Sequence, residues 1–126
     1  MSKNVIHTDK APAAIGAYSQ GILSEGLLFT SGQIGLIPAT GELAVGLEAQ
    51  TEQVFANLEA ICVAAGTSLK HAVKMTIFLQ DINDFGVVNA AMLKHVPEPF
   101  PARSCFAVAA LPKGALVEIE AVVELP

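Results

Sequence analysis

The chain contains no tryptophan and a single tyrosine, Tyr18, so it supplies few ring faces on which single-stranded nucleic acid could stack. Charge is also scarce. Asp, Glu, Lys and Arg make up 15% of 126 residues and sum to −5, a sign that opposes nonspecific binding to nucleic acid or anionic lipid. The grouping Lys70-His71 with Lys74 is too sparse to form a basic stripe. Two cysteines, Cys62 and Cys105, cannot make a disulfide framework, and His7, His71 and His95 lack metal-site spacing, so no metal is expected. Long hydrophobic runs are missing too. The longest uncharged stretch, Gly26 to Gly41, carries four glycines among its polar residues and falls short of the ~20 apolar residues a spanning helix needs. The segment Met1–Lys10 has no apolar run of the secretory kind, and the expected compartment is the cytoplasm. Dinucleotide, P-loop and nucleophile-elbow sequences are absent, and so are internal repeats and linker-like tracts.

What is present is apolar. Hydrophobic residues make up 52% of a chain whose length suits one domain, residues 1–126. A monomer of this size cannot bury them all, which predicts an apolar patch covered by another copy of the chain. The run Gly26–Gly32 reads as a buried strand, and Pro38-Ala39-Thr40-Gly41 as a turn. Leu47, Val54, Leu58, Ile61, Cys62 and Ala65 recur at helical spacing, with Gly66 suited to end that helix. From Ala72 to Leu79, Val73, Met75, Ile77 and Leu79 alternate with Lys74, Thr76 and Phe78, a strand facing one core. Asn83 is the expected N-cap of a second helix running to about Val96, which the prolines of Pro97–Pro101 stop. Strands are expected near Arg103–Ala110 and Leu116–Leu125, joined by a turn at Pro112-Lys113-Gly114. The order predicts an α+β fold, a mixed sheet with two helices packed on one face.

Chemistry concentrates in Pro101-Ala102-Arg103-Ser104-Cys105 and Glu118-Ile119-Glu120. Strand parity puts Arg103 and Cys105 on one face of their strand, and Glu118 and Glu120 together on one face of the next. The guanidinium fork matches a carboxylate, so Arg103 reads equally as an anion site or as an ion pair with Glu118 or Glu120. The two glutamates, about 6.5–7 Å apart along the strand, either raise one another's pKa for proton transfer or line a solvent-facing strand edge. Cys105 has no evident histidine base and reads as a small wall residue rather than a nucleophile. Tyr18 and Ser31 are candidate hydrogen-bond donors in a pocket, Tyr18 equally a packing residue.

Taken together, Ala13-Ala14-Ile15-Gly16-Ala17-Tyr18-Ser19-Gln20-Gly21, Thr30-Ser31-Gly32-Gln33-Ile34, Asp81-Ile82-Asn83-Asp84-Phe85 with Val88-Asn89, Phe100-Pro101-Ala102-Arg103-Ser104-Cys105, and Leu111-Pro112 with Val117-Glu118-Ile119-Glu120-Ala121 resemble the reactive intermediate deaminase (Rid, or YjgF) family, in the family's order and over nearly the whole chain. The resemblance implies a chorismate-mutase-like fold, a homotrimer with sites between subunits, and no cofactor. It implies hydrolysis of 2-imino acids, or their 2-enamino tautomers, to 2-oxo acids and ammonia, with 2-iminobutanoate and 2-iminopropanoate as substrates. By the same resemblance Arg103 binds the substrate carboxylate, the Cys105 backbone contacts substrate, and Glu118 handles the attacking water. Tyr18, Ser31 and Asn89 match further pocket positions. One departure falls between Asn89 and Arg103. This stretch is a few residues shorter than the family pattern and has Met92-Leu93-Lys94-His95-Val96-Pro97 in place of an aromatic-rich helix end, which marks the pocket rim as the variable part. Two alternatives belong to other classes: a non-catalytic ligand-binding or regulatory trimer, and an endoribonuclease or translation inhibitor, which the acidic charge disfavours.

Overall fold

In the computed structural model, which describes residues 3–126, alternating apolar residues build six strands into one mixed sheet. The strands are β1 (Asn4–Ile6), β2 (Gly21–Ser24), β3 (Leu27–Thr30), β4 (Ala72–Leu79), β5 (Ala102–Ala107) and β6 (Val117–Glu124). Their spatial order is β1-β2-β3-β6-β4-β5, and only β4 and β5 run parallel. Parallel neighbours need a crossover, which α2 (Phe85–His95) provides. The longer helix α1 (Leu47–Ala64) connects β3 to β4. This is the expected α+β architecture. No helix among the described residues is long and apolar enough to cross a membrane. Met1 and Ser2, part of the stretch read for a leader, lie outside the described residues.

The last strand lies inside the sheet, and its alternation organises the core. Val117, Ile119, Ala121 and Val123 of β6 are buried beside Leu28, Met75, Ile77 and Leu79. Over them pack Val54, Phe55, Leu58, Ile61 and Cys62 of α1 and Val88, Ala91 and Met92 of α2. Each large apolar side chain so buried contributes roughly 1.5–3 kcal/mol of transfer free energy. The intervening residues form the opposite face, where the register aligns Val5, Ile22, Phe29 and Val122, and further along Phe78 and Phe106. Phe29 remains 44% exposed and Phe106 46%, so this face is the apolar patch that the composition predicts. Phe78 and Phe106 meet edge to face there, with centroids 5.4 Å apart.

Several local expectations are corrected. Gly26–Gly32 is not a wholly buried strand: Leu28 is fully buried and Phe29 is exposed, because only one side of β3 meets the helices. The hairpin β2–β3 turns on Glu25 and Gly26, both at positive φ (54° and 78°), a two-residue turn with an unusual first residue. On β4 a register shift between Ala72 and Lys74 moves Val73 out of the core, and Ala72 takes its place. Asn83 caps no helix. Its N–H donates to Asp81 Oδ1 at 2.9 Å in a short 3₁₀ turn that precedes α2. The ending of α1 is as expected, with Gly66 at φ 87° and Thr67 N–H returning to Cys62 O.

Gly35 is demanded by packing. A Cβ there would stand 2.7 Å from Gln50 Cα and 2.8 Å from Gln50 O, and Gln50 is itself tied through Oε1 to Leu116 N–H. The helix backbone cannot withdraw. Gly35→Ala is expected to destabilise the fold by about 1–3 kcal/mol, read as a lowered urea midpoint with an unchanged m-value.

Candidate functional site

Arg103 lies on β5, an edge strand, opposite Met75 of β4, and Cys105 lies opposite Ile77, so both side chains project to the helix face. There α2 presents Phe85, Asn89 and Met92, spaced four and three residues apart on one helical stripe. Arg103 Nη1 donates to Asn89 Oδ1 at 2.6 Å and approaches Met92 Sδ at 3.6 Å. The guanidinium carbon stands 4.9 Å from the Phe85 ring centroid, a cation–π distance. Asn89 thus holds the arginine, and Phe85 and Met92 complete the support. Their helical spacing around Asn89 was the signal that residue-by-residue reading passed over. A cavity of about 350 Å3 opens beside them, bounded by Leu93, Phe100 and Pro101. Met92 and Leu93, from the divergent stretch, form part of its rim.

Cys105 is a wall residue. Burial pushes its thiol up and the Arg103 charge only partly opposes this, so it stays protonated at neutral pH. Its backbone is better placed. Val108 N–H donates to Leu79 O, and strand alternation therefore turns the N–H and C=O groups of Arg103 and Cys105 toward the free edge of the sheet.

Glu118 and Glu120 sit on β6 opposite Phe78 and Thr76, and so project from the open face. The strand lies between β3 and β4, which overturns the reading of a strand edge. Both line a cavity of about 530 Å3 together with Tyr18, Ser31, Gly32 and Lys113. Half-buried Glu118 accepts no hydrogen bond from any described residue, and burial, followed by the Glu120 charge, raises its pKa above the usual carboxylate value. Tyr18 Oη accepts from Ile15 N–H at 3.3 Å, which leaves the phenolic proton free to donate. Ser31 Oγ instead donates to Ser19 O at 2.5 Å, so it is no pocket donor and offers only lone pairs. The loop beside them is pinned by buried Gln20, whose side chain accepts from Thr8 N–H and donates to the carbonyls of Thr8, Ala11 and Pro12. Lys113, at φ 57°, was not singled out by sequence.

Two clusters result, Arg103 with Asn89 and Cys105, and Glu118 with Tyr18 and Ser31. The fold keeps them apart, on opposite faces of the sheet with β4 between their strands. The ion pair of Arg103 with Glu118 or Glu120, one of the two alternatives for the arginine, does not form. Among the described residues the ion pairs are His7–Asp9, Lys94–Glu52 and His95–Glu52.

Residues 8–125 match the family model described as endoribonuclease L-PSP. The chain is 48% identical over 126 residues to Reactive Intermediate Deaminase A, chloroplastic, of Arabidopsis thaliana, covering 99% of this chain and 67% of that one. It is 47% identical to the 2-iminobutanoate/2-iminopropanoate deaminase of Rattus norvegicus, over 95% of this chain and 88% of the relative. Among solved structures, RidA from the Antarctic bacterium Psychrobacter sp. PAMC 21119 superposes with a TM-score of 0.94 at 49% identity, covering 97% and 99% of the two chains. The E. coli protein TdcF, solved with bound serine, superposes at 0.90 with 41% identity over 98% and 100%.

Proposed function

The chain belongs to the endoribonuclease L-PSP family, that of the reactive intermediate deaminases, and on that premise we propose that it hydrolyses 2-imino acids and their 2-enamino tautomers, such as 2-iminobutanoate and 2-iminopropanoate, to 2-oxo acids and ammonia. One observation carries the reading. In a chain poor in charge, the Arg103 guanidinium has no carboxylate partner and the half-buried Glu118 carboxylate has no hydrogen-bond donor, among the described residues. Leaving the half-buried Glu118 carboxylate unpaired is costly, and the exposed Arg103 guanidinium stands open to an anion, so an attacking water and a substrate carboxylate supply the two partners.

Because the two clusters face opposite ways, the complete site forms where the Arg103 edge of one subunit meets the open face of another. The uncovered apolar face supports such an assembly, which we assign as a homotrimer in the cytoplasm. Arg103, oriented by Asn89 and Phe85, receives the substrate carboxylate through its fork. The outward backbone groups of Cys105 and the Tyr18 hydroxyl position the imine. Glu118 takes a proton from water as the oxygen bonds to C2 and the C=N electrons move to nitrogen. Glu118 returns that proton to the carbinolamine nitrogen, and as the C–N bond breaks the hydroxyl gives its proton to the Glu118 carboxylate, so ammonia leaves with C=O formed at C2. The substrate is already electrophilic when protonated, so no cofactor is needed in this scheme.

The test is to generate 2-iminobutanoate with an amino-acid oxidase and trap it with semicarbazide. Suppressed trapping by the purified protein supports the reading. Binding of 2-oxobutanoate without suppression selects the non-catalytic ligand-binding reading instead.

The base must be ionised to act, so activity falls as pH drops through the raised pKa of Glu118. Glu120 is the second cause of that rise. Glu120→Gln is therefore expected to move the acid limb of the pH–rate profile to lower pH, measured as kcat/KM across the range.

A further inference from the structure

We propose that Gly32 is a positioning residue for the Glu118 carboxylate, an inference that rests on the assignment of Glu118 as the water-handling base. Glycine is usually required by backbone conformation or by backbone packing. Neither applies here. The φ of Gly32 lies outside the left-handed region that favours glycine, in contrast to Gly41, Gly46 and Gly66. The atoms that a Cβ at Gly32 would meet belong to one side chain only. Such a Cβ overlaps Glu118 Oε2, lies 2.9 Å from Cδ and 3.1 Å from Cγ, and meets no backbone atom among its nearest three. At Gly35 the clash is with the Gln50 backbone, a fold requirement.

The Gly32 backbone is held on both sides. Ser31 N–H donates to Gln20 O at 3.0 Å, and Gln33 exchanges two backbone hydrogen bonds with Ile119, at 2.9 and 3.1 Å. Ile119 adjoins Glu118, so the same pair of bonds fixes the distance from the glycine to the root of the glutamate side chain. A methyl group at position 32 cannot retreat, and relief comes from the carboxylate swinging out of its seat. The bare face of Gly32 therefore selects the Glu118 rotamer that keeps the carboxylate half-buried in the cavity with Tyr18 and Glu120.

The decisive readout does not need turnover. With 13C-labelled glutamate, the Glu118 carboxyl carbon, assigned by its loss in Glu118→Gln, is titrated in the wild type and in Gly32→Ala. The expected result is a midpoint moved down toward an ordinary carboxylate, as the group leaves its partly desolvated seat. The same variant is expected to lose about 100-fold in kcat against 2-iminobutanoate with little change in KM, the size of effect that a misplaced group causes. A stability cycle guards against a variant that folds poorly. Alanine at position 32 should lower Tm less when Glu118 is also alanine, since the atoms it meets are gone. An unmoved midpoint in Gly32→Ala overturns the proposal, and so does an equal loss of Tm with and without Glu118. A wild type without turnover removes the deaminase reading, while the titration and the cycle still decide the role of Gly32.

Discussion

Arg103→Ala is expected to lose on the order of 100-fold or more in kcat/KM for 2-iminobutanoate, with little change in thermal stability. The stability expectation follows from its place in the fold. Arg103 sits on an edge strand, its side chain exposed, and its contacts are one hydrogen bond to Asn89, the Met92 sulfur and the face of Phe85. Nothing in the core depends on it. The catalytic expectation follows from its chemistry. Without the guanidinium, the substrate carboxylate finds no fixed donor pair, and C2 is no longer held against the water. Arg103→Lys keeps the charge but loses the planar fork and its stacking on Phe85, so it should recover only part of the rate. Semicarbazide trapping measures both variants, and the balance of KM against kcat separates lost binding from lost orientation. An Arg103→Ala protein that suppresses trapping as well as the wild type would remove Arg103 from the site.

Mixing two dead proteins should restore activity. Arg103→Ala and Glu118→Gln subunits, unfolded together and refolded at equal ratio, are expected to regain about a quarter of wild-type activity if each site takes its arginine from one subunit and its glutamate from the next around a closed ring. Random assembly makes a site with both native residues in that fraction of cases. The same two proteins assayed separately should remain inactive, and refolding each alone controls for the procedure. The expectation comes directly from the sheet. Arg103 projects to the helix face of β5 and Glu118 to the open face of β6, so one subunit cannot bring them to a single substrate. If each site were built within one chain, the mixture would stay dead. That outcome would overturn the assignment of the site to a cleft between copies.

Much of the fold was legible because its signals are local. Helical spacing from Leu47 with Gly66 behind it, and the alternation of Met75, Ile77 and Leu79, predicted α1 and β4 within a residue or two. The strands β1 and β2 escaped, being three and four residues long with a Glu-Gly turn that lacks the common hairpin dipeptides. Asp81, not Asn83, took a capping role, at the 3₁₀ turn before α2; the two lie only two residues apart and both are competent caps, so residue type does not separate them. Val73 left the core through a bulge, which alternation alone cannot foresee. In the site, the pairing of Arg103 with Cys105 and of Glu118 with Glu120 followed from strand parity. Ser31 looked like a donor and is already spent on the Ser19 carbonyl, a contact between positions twelve apart.

The sequence by itself determined which side chains share a face within each strand, because the period of two belongs to the backbone. It also determined that the chain carries more apolar surface than a monomer can bury, and that Arg103 and the pair Glu118 and Glu120 stand among apolar neighbours. Only the tertiary structure decided that those two charges look away from each other. That outcome depends on which strands become neighbours and which of their faces meets the helices, a choice made by long-range pairing of β6 between β3 and β4. No local pattern encodes it. The run around Arg103 and the glutamates after it, close in sequence, thereby lie on opposite faces of the sheet, and the proposed site needs a second copy of the chain to join them.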